Sequence, residues 1–297
     1  MQGRSTPRLS NWRTLLGFAP IFSVTVLFHF AALGHIPPGV FSDEALNGNE
    51  GIHAQRTGDY KIFYPTNNGR EGLWINLIGL SESIFGVNQF GLRFPSAVVG
   101  SLTVLAVFLL ARELFSLRTA LFSAWFLAVA FWHVAFSRIA LRGILVPLLL
   151  TVSVLLLVQA IRIASEGGGT LPSILAALGG LVYGLGFYSY IAYRFTPFVI
   201  LAFFAIDLDG RRRRREPLKP WIRIFTIWWL RPCLLLCRSF CTFSVIRPTF
   251  SPEPTSYLFS PDPTRWSRCV RDCLTRWRSS TSQVTAGGWS TLAVPRF

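Results

Sequence analysis

The sequence predicts an all-α membrane protein, a polytopic bundle of about six or seven transmembrane helices with amphipathic surface helices in its first outer loop. Hydrophobic residues make up 51% of the 297 residues and charged residues only 14%, whereas charged residues make up about 25% of a typical globular protein. The mean hydropathy is positive, at +0.44. The apolar residues are also clustered into windows of roughly the 20 residues that cross the hydrocarbon core of a bilayer.

The predicted spans follow from these windows in chain order. The first, LLGFAPIFSVTVLFHFAALG at 15–34, is longer than the apolar core of a cleaved signal peptide, so we expect it to be retained. A polar segment at 35–92 separates it from the other windows, which lie close together. Those windows are 94–112, 119–137, 143–162, 172–190 and 194–208, with a possible seventh span near 221–237.

The basic residues predict the orientation of the chain. They lie mainly at the ends of the apolar windows, where an excess of Lys and Arg marks the cytoplasmic side. Their distribution predicts a cytoplasmic N-terminus for a multi-pass protein of the plasma (inner) membrane. The run RRRRR at 211–215 then anchors the inner side on anionic membrane lipids. The net charge of +15 therefore does not indicate nucleic-acid binding.

The first outer loop, residues 35–92, is expected to be partly helical. EGLWINLIGLSESIF at 71–85 repeats apolar residues every three or four positions, which predicts an amphipathic helix lying on the membrane surface. A second helix is expected to begin at Ser42 or Asp43 as its N-cap and to run toward Thr57 and Gly58.

Asp43 and Glu44 are the first candidate site residues, since they stand together in a chain that has only 14 acidic residues. Carboxylates favour the N-terminus of a helix, so capping alone would explain one of them. The functional alternative is that a carboxylate at the membrane boundary acts as a general base or orients an acceptor hydroxyl.

The segment FYPTNNGREGLW at 63–74 holds the next candidates, Asn68, Arg70 and Glu71. The sequence Asn67-Asn68-Gly69 is typical of a turn, and a turn before the surface helix is the simple interpretation. Arg70 and Glu71 would then lie beside the membrane interface, where they could also contact phosphate or sugar groups.

Two further segments carry candidates on the outer side. In FSRIALRG, Arg138 and Arg142 are four residues apart and share one helix face. They could bind an anionic ligand, because a guanidinium binds phosphate in a bidentate manner, or extend to lipid headgroups. In YGLGFYSYIAYRF at 183–195, Tyr190 belongs to an interfacial aromatic belt or lines the approach of a polyprenyl chain or sugar, with Arg194 near a phosphate.

Taken in order, GVFSDEALNGNEG, FYPTNNGREGLWINL, FGLRFPSAVVGSLTVLAVFLLARELF, WHVAFSRIALR and YSYIAYRF resemble a known family. They are similar to the polyprenyl-phosphate-sugar-dependent glycosyltransferases of the C superfamily. The nearest group contains protein O-mannosyltransferases and the transferases that add aminoarabinose or galacturonic acid to lipid A. The resemblance covers about residues 12–210 and implies an enzyme that passes a sugar from polyprenyl phosphate to a lipid, glycan or protein acceptor on the non-cytoplasmic face.

The resemblance also implies roles for the candidates. Asp43 matches the acidic residue of the first loop that is regarded as catalytic, and Glu44 is its paired neighbour. Arg70 and Glu71 match a loop motif near the donor, and the segment with Arg138 and Arg142 matches the region of the donor phosphate. Some relatives use a divalent metal at the acidic motif and others do not, so a metal is possible here and no metal ligand is assigned.

The resemblance ends near residue 210, which divides the chain into a transferase-like membrane domain at 1–210 and a basic loop and atypical tail at 211–297. The tail is rich in Arg, Ser, Thr, Pro, Cys and Trp and lacks helical or strand periodicity. That composition is typical of a GC-rich gene read out of frame, so we hypothesise a frameshifted, degenerate or disordered tail. The alternatives to a transferase are a transporter or flippase of a lipid-linked sugar and an inactive membrane remnant.

Overall fold

The computed structural model describes residues 12–65, 69–215 and 218–230. These residues are almost entirely helical, which confirms the all-α class, and they include one short antiparallel hairpin, β1 (Phe63–Tyr64) with β2 (Arg70–Glu71). The α-helices are α1 (Trp12–Phe30), α2 (Ser42–Thr57), α3 (Gly72–Phe85), α4 (Gln89–Leu114), α5 (Leu117–Val129), α6 (Phe131–Ser137), α7 (Leu145–Ser165), α8 (Leu171–Gly186), α9 (Thr196–Arg213) and α10 (218–230). Two 3₁₀ turns, Arg142–Ile144 and Ile191–Phe195, precede α7 and α9.

The apolar helices lie where the sequence predicts spans, but their lengths differ. Within the described residues, three helices are long and apolar enough to cross a bilayer: Gln89–Leu114, Arg142–Ser165 and Ile191–Arg213. The predicted span 119–137 is a pair of helices, α5 and α6, bent by 62° at a break near Ala130, and it counts as a fourth if the pair is one span. The segments Leu16–Phe30 and Leu171–Gly186 are apolar but shorter.

Helices α2 and α3 of the loop at 35–92 form at nearly the predicted boundaries. Helix α2 ends at Thr57 before Gly58, whose φ of 72° places it in the left-handed conformation of a helix C-cap. The N-cap is Phe41 rather than Ser42 or Asp43. The two helices touch backbone to backbone, because a Cβ atom on Gly79 would lie 2.3 Å from the Gly51 carbonyl oxygen. Trp74 and Ile78 of α3 are buried against α4 and the segment before α7.

A second part of the core joins helices α7, α8 and α10. Trp228 of α10 is fully buried, and its Nε1–H donates to Ser153 Oγ at 3.0 Å, while that hydroxyl donates to the Gly179 carbonyl at 2.7 Å. Helical structure that packs into the bundle therefore continues past residue 210. The division of the chain at 210 stays a prediction, and the hypothesis of a frameshifted tail concerns residues that, from 231 onward, lie outside those described.

The carboxyl of Glu82 is buried where α2, α3 and α4 meet. Glu82 is 5% exposed, and its Oε2 has no hydrogen-bond partner among the described residues. A Cβ on Gly48 would lie 3.2 Å from Glu82 Oε1, which shows how closely α2 covers this group. Burial disfavours the charged form and raises the pKa of Glu82 from 4.5 to about 7.

This burial predicts a pH dependence of stability. As pH rises from about 4.5 to about 7, the unfolded chain releases the Glu82 proton while the folded chain keeps it, so the free energy of unfolding falls across this window. The variant Glu82→Gln lacks this loss. In thermal unfolding in detergent, the stability of the variant relative to the unmodified protein should therefore increase with pH and level off above about pH 7. Parallel stability curves for the two proteins would contradict the prediction.

Candidate active site

The carboxylate of Glu44, in the first turn of α2, connects three parts of the chain. Glu44 is 1% exposed and pairs with Arg93 of α4, whose Nε and Nη2 donate to Oε1 at 3.1 Å and to Oε2 at 3.2 Å. The backbone N–H of Ala140 donates to Oε1 at 2.8 Å, and that of Phe41 donates to Oε2 at 3.0 Å. Both oxygens therefore accept two hydrogen bonds each.

Arg93 completes this arrangement from the side of α4. Its side chain is fully buried, and besides Glu44 it donates to the carbonyl oxygens of Pro37 at 2.8 Å and Gly39 at 2.5 Å. One guanidinium thus fixes both the Pro-Pro-Gly turn and the start of α2. Arg93 is not among the site residues that the sequence predicts. One feature of the sequence could have indicated it. Arg93 precedes an apolar window at the end that is predicted to face outward, whereas basic residues accumulate on the cytoplasmic side.

Asp43 differs from Glu44 although the two are neighbours. Successive residues of an α-helix are rotated by about 100°, so Glu44 faces the protein while Asp43 is exposed. The capping role is thereby assigned to Glu44, which accepts the Phe41 N–H. Asp43 stands exposed on a helix end whose position is fixed by its neighbour.

The segment 138–142 is held against α2 and α3 through one peptide unit. The carbonyl of Ala140 accepts hydrogen bonds from Asn47 Nδ2 at 3.2 Å and Trp74 Nε1 at 3.0 Å, and its N–H donates to Glu44. Ser96 Oγ of α4 donates to the adjacent Ile139 carbonyl at 2.9 Å. The residues that carry Arg138 and Arg142 are therefore fixed relative to Asp43.

Arg138 points back to the end of α1 and not to its partner in sequence, Arg142. It is 9% exposed and donates to the carbonyl oxygens of Phe28 at 2.5 Å, Ala31 at 2.6 Å and Ile36 at 3.0 Å. These carbonyls belong to the C-terminus of α1 and the turn after it, where helices leave acceptors unsatisfied. The contacts favour a capping role for Arg138, and its binding of a donor phosphate stays a prediction.

Four of the predicted site residues, distant in sequence, meet in one cluster. Arg142 Nη1 donates to Glu71 Oε2 at 3.1 Å, and Arg194 Nη2 donates to Glu71 Oε1 at 3.3 Å. The guanidinium of Arg142 also lies 5.6 Å from the centroid of the Tyr190 ring, which is a cation–π distance. We call Glu71, Arg142, Tyr190 and Arg194 the arginine cluster. Its two cations and one carboxylate carry a net charge of +1, and the binding of an anionic group there stays a prediction.

Arg70 does not join this cluster. Its side chain is 2% exposed and donates to Asn47 Oδ1 at 2.6 Å and Glu50 Oε2 at 2.5 Å, so it attaches the hairpin to α2. Asn68 lies outside the described residues. The backbone of Glu71, next to Arg70, is fixed by the hairpin, because Glu71 pairs with Phe63 and the Gly72 N–H donates to the Ile62 carbonyl at 2.7 Å.

The donor set does not fit a bound divalent metal. Within the described residues, no group of three or more His, Cys, Asp or Glu side chains could hold a metal ion. Both oxygens of Glu44 are already engaged by Arg93 and by backbone N–H groups. Among the described residues, the acidic motif therefore has no set of three side chains that fits a divalent metal.

Comparison with known proteins gives a family and a fold. The model of the dolichyl-phosphate-mannose-protein mannosyltransferase family matches residues 73–234, more than half of the chain. No curated protein matches. The crystal structure of the Archaeoglobus fulgidus oligosaccharyltransferase in its apo form is similar, with a TM-score of 0.64 and 17% identity, over 79% of this chain and 30% of the archaeal chain. At that identity it shows a shared fold, and this chain spans less than a third of the archaeal protein's length.

The two adjacent carboxylates should differ sharply in their effect on stability. Glu44→Gln leaves the buried charge of Arg93 without its counterion, and breaking a buried pair in this way costs about 3–5 kcal/mol. Asp43→Asn changes an exposed side chain and should cost less than about 0.5 kcal/mol. Thermal unfolding of both variants in detergent checks this. Equal stability losses in the two variants would contradict the assignment of Glu44 as the buried connector.

Proposed function

Because this chain belongs to the dolichyl-phosphate-mannose-protein mannosyltransferase family, we propose that it is a membrane glycosyltransferase that passes a sugar from a polyprenyl phosphate donor to an acceptor. The acceptor is a lipid, glycan or protein on the non-cytoplasmic face. One observation supports this most. Asp43 is an exposed carboxylate next to Glu44, and Arg142 of the arginine cluster lies two residues after Ala140. The hydrogen bond from the Ala140 N–H to Glu44 joins these two segments.

The chemistry of the transfer requires these two groups. A nucleophilic oxygen of the acceptor forms a bond to the anomeric carbon of the sugar, while the bond from that carbon to the donor phosphate oxygen breaks. The bonding electrons leave with the phosphate, and Arg142 and Arg194 stabilise the charge that develops there. The acceptor proton passes to the Asp43 carboxylate, which acts as general base.

Glu44 has a different task in this proposal. Its oxygens are occupied by buried donors, so it does not contact substrate. It positions Asp43 relative to segment 138–142, and Arg93 balances its charge. Arg70 acts similarly on the hairpin that carries Glu71. Glu44 and Arg70 are thus positioning residues, whereas Asp43, Arg142, Arg194 and Tyr190 are the residues that meet substrate. Asn68, which lies outside the described residues, stays a predicted substrate-binding residue.

The orientation of the chain belongs to the same proposal. With the N-terminus in the cytoplasm, α2, α3 and the arginine cluster lie on the non-cytoplasmic face. Lipid-linked sugars carry a long apolar tail, and the apolar side chains Leu80 and Ile84 of α3 are exposed at 51% and 66%. These side chains give a polyprenyl tail an apolar surface on the helix that begins next to Glu71.

The proposal predicts that Asp43→Asn abolishes transfer while the protein remains folded. Loss of a general base lowers a rate by about 10²- to 10⁴-fold, and stability should not change because Asp43 is exposed. The measurement is transfer of labelled sugar from polyprenyl phosphate donors to endogenous acceptors in membranes that contain equal amounts of each protein.

Asp59→Asn is the matched control, since it removes an exposed carboxylate from the same loop, where Asp59 pairs with Lys61. It should transfer sugar at the rate of the unmodified protein. If Asp43→Asn transfers sugar undiminished, Asp43 has no part in the mechanism.

A further inference from the structure

The carboxylate of Glu71 occupies the place where a donor phosphate would contact the arginine cluster. Each of its two oxygens accepts from a different guanidinium, Arg142 on one side and Arg194 on the other. A phosphate that uses the same two cations would present its oxygens in the same way. Glu71 therefore resembles, within the protein, the ligand that the cluster is proposed to bind.

The two arginines that contact Glu71 are open to solvent, although the carboxylate itself is not. The side chains of Arg142 and Arg194 are 23% and 37% exposed, against 2% for Arg70 and 0% for Arg93. Glu71 is 7% exposed. An entering anion can therefore reach these two guanidinium groups, which it cannot do at the buried arginines.

The backbone supports a movement of the Glu71 side chain alone. Glu71 pairs with Phe63 in the hairpin, and a Cβ on Gly72 would lie 1.9 Å from the Lys61 carbonyl oxygen, so this part of the chain leaves no room for rearrangement. An exchange of Glu71 for phosphate thus needs rotation of one side chain.

We infer that Glu71 is an internal competitor for Arg142 and Arg194, which an incoming phosphate displaces and which returns when the product phosphate leaves. The inference rests on the proposed function of the cluster and adds its regulation. A site with two uncontested arginines would hold the leaving polyprenyl phosphate more tightly, because that product carries more negative charge than the phosphodiester donor. The carboxylate limits this affinity and so favours product release.

The test is the affinity of the full-length protein in detergent for polyprenyl monophosphate, followed by intrinsic tryptophan fluorescence. Glu71→Gln keeps the shape of the side chain and removes its charge, so it should bind the phosphate roughly two- to five-fold more tightly, since ion pairs of partly exposed side chains are worth up to about 1 kcal/mol. Unchanged or weaker binding by a variant that unfolds at the normal temperature would overturn the inference and assign Glu71 to orienting the arginines.

Two controls separate this inference from the proposed function. Glu50→Gln removes the carboxylate from buried Arg70 and should bring no gain in affinity. Arg142→Gln should lower the affinity for the phosphate, and an unchanged affinity would show that the proposed phosphate site is wrong. If Arg142→Gln lowers the affinity but Glu71→Gln does not raise it, only the competition by Glu71 is refuted.

If Glu71→Gln does not fold, Glu71→Asp replaces it, since its shorter carboxylate reaches the arginines less well. A competing role of Glu71 then predicts tighter binding of the phosphate, whereas a role in orienting the arginines predicts weaker binding.

Discussion

The ion pair between Glu44 and Arg93 is the interaction on which the arrangement of the site depends. Both side chains are buried, at 1% and 0% exposure, and removing two charges from water is costly. The cost is offset because every oxygen of the carboxylate accepts two hydrogen bonds and the guanidinium also satisfies two carbonyls of the preceding turn. The pair therefore specifies one arrangement of three chain segments: the turn before α2, the start of α4, and residues 138–142.

The arginines of this end of the bundle divide into two groups by exposure. Arg70, Arg93 and Arg138 are buried and bind carboxylates, an amide oxygen or backbone carbonyls. Arg142 and Arg194 stay partly exposed and share a single carboxylate. A planar guanidinium with several donors suits both tasks. This division explains how five arginines can lie at this end of the bundle, since the carboxylates of Glu44, Glu50 and Glu71 balance part of their charge inside the protein.

The sequence predicted the all-α class, the positions of the apolar helices and the extent of α2 well, because these depend on local periodicity and on Gly58 as a C-cap. It could not separate Asp43 from Glu44, since neighbours on one helix turn look alike until the partner of each is known. Arg138 and Arg142 appeared to share a face, but the chain leaves the helix at Arg138, so the two side chains reach different partners. Arg93 was not predicted as a site residue, because its partner Glu44 is 49 residues away in the sequence.

The arginine cluster is a second case in which local sequence patterns do not predict a tertiary contact. The residues Glu71, Arg142, Tyr190 and Arg194 were each proposed from separate segments, and no local pattern indicated that they would meet. Their meeting depends on α3, segment 138–142 and the turn before α9 being packed together, which is a property of the tertiary fold. The bend between α5 and α6 near Ala130 was likewise invisible in an uninterrupted apolar window.

The most direct test of this arrangement is hydrogen exchange by mass spectrometry on the protein in detergent, comparing Glu44→Gln and Asp43→Asn with the unmodified chain. If Glu44 connects the segments, Glu44→Gln raises deuterium uptake in the peptides that cover residues 36–44 and 138–142 together. The amide that replaces the carboxylate offers the Phe41 and Ala140 N–H groups one acceptor oxygen instead of two, and it no longer balances the charge of Arg93. Asp43→Asn should leave both peptides as they are. Unchanged uptake at 138–142 in Glu44→Gln would contradict the claim that one buried carboxylate holds the site together.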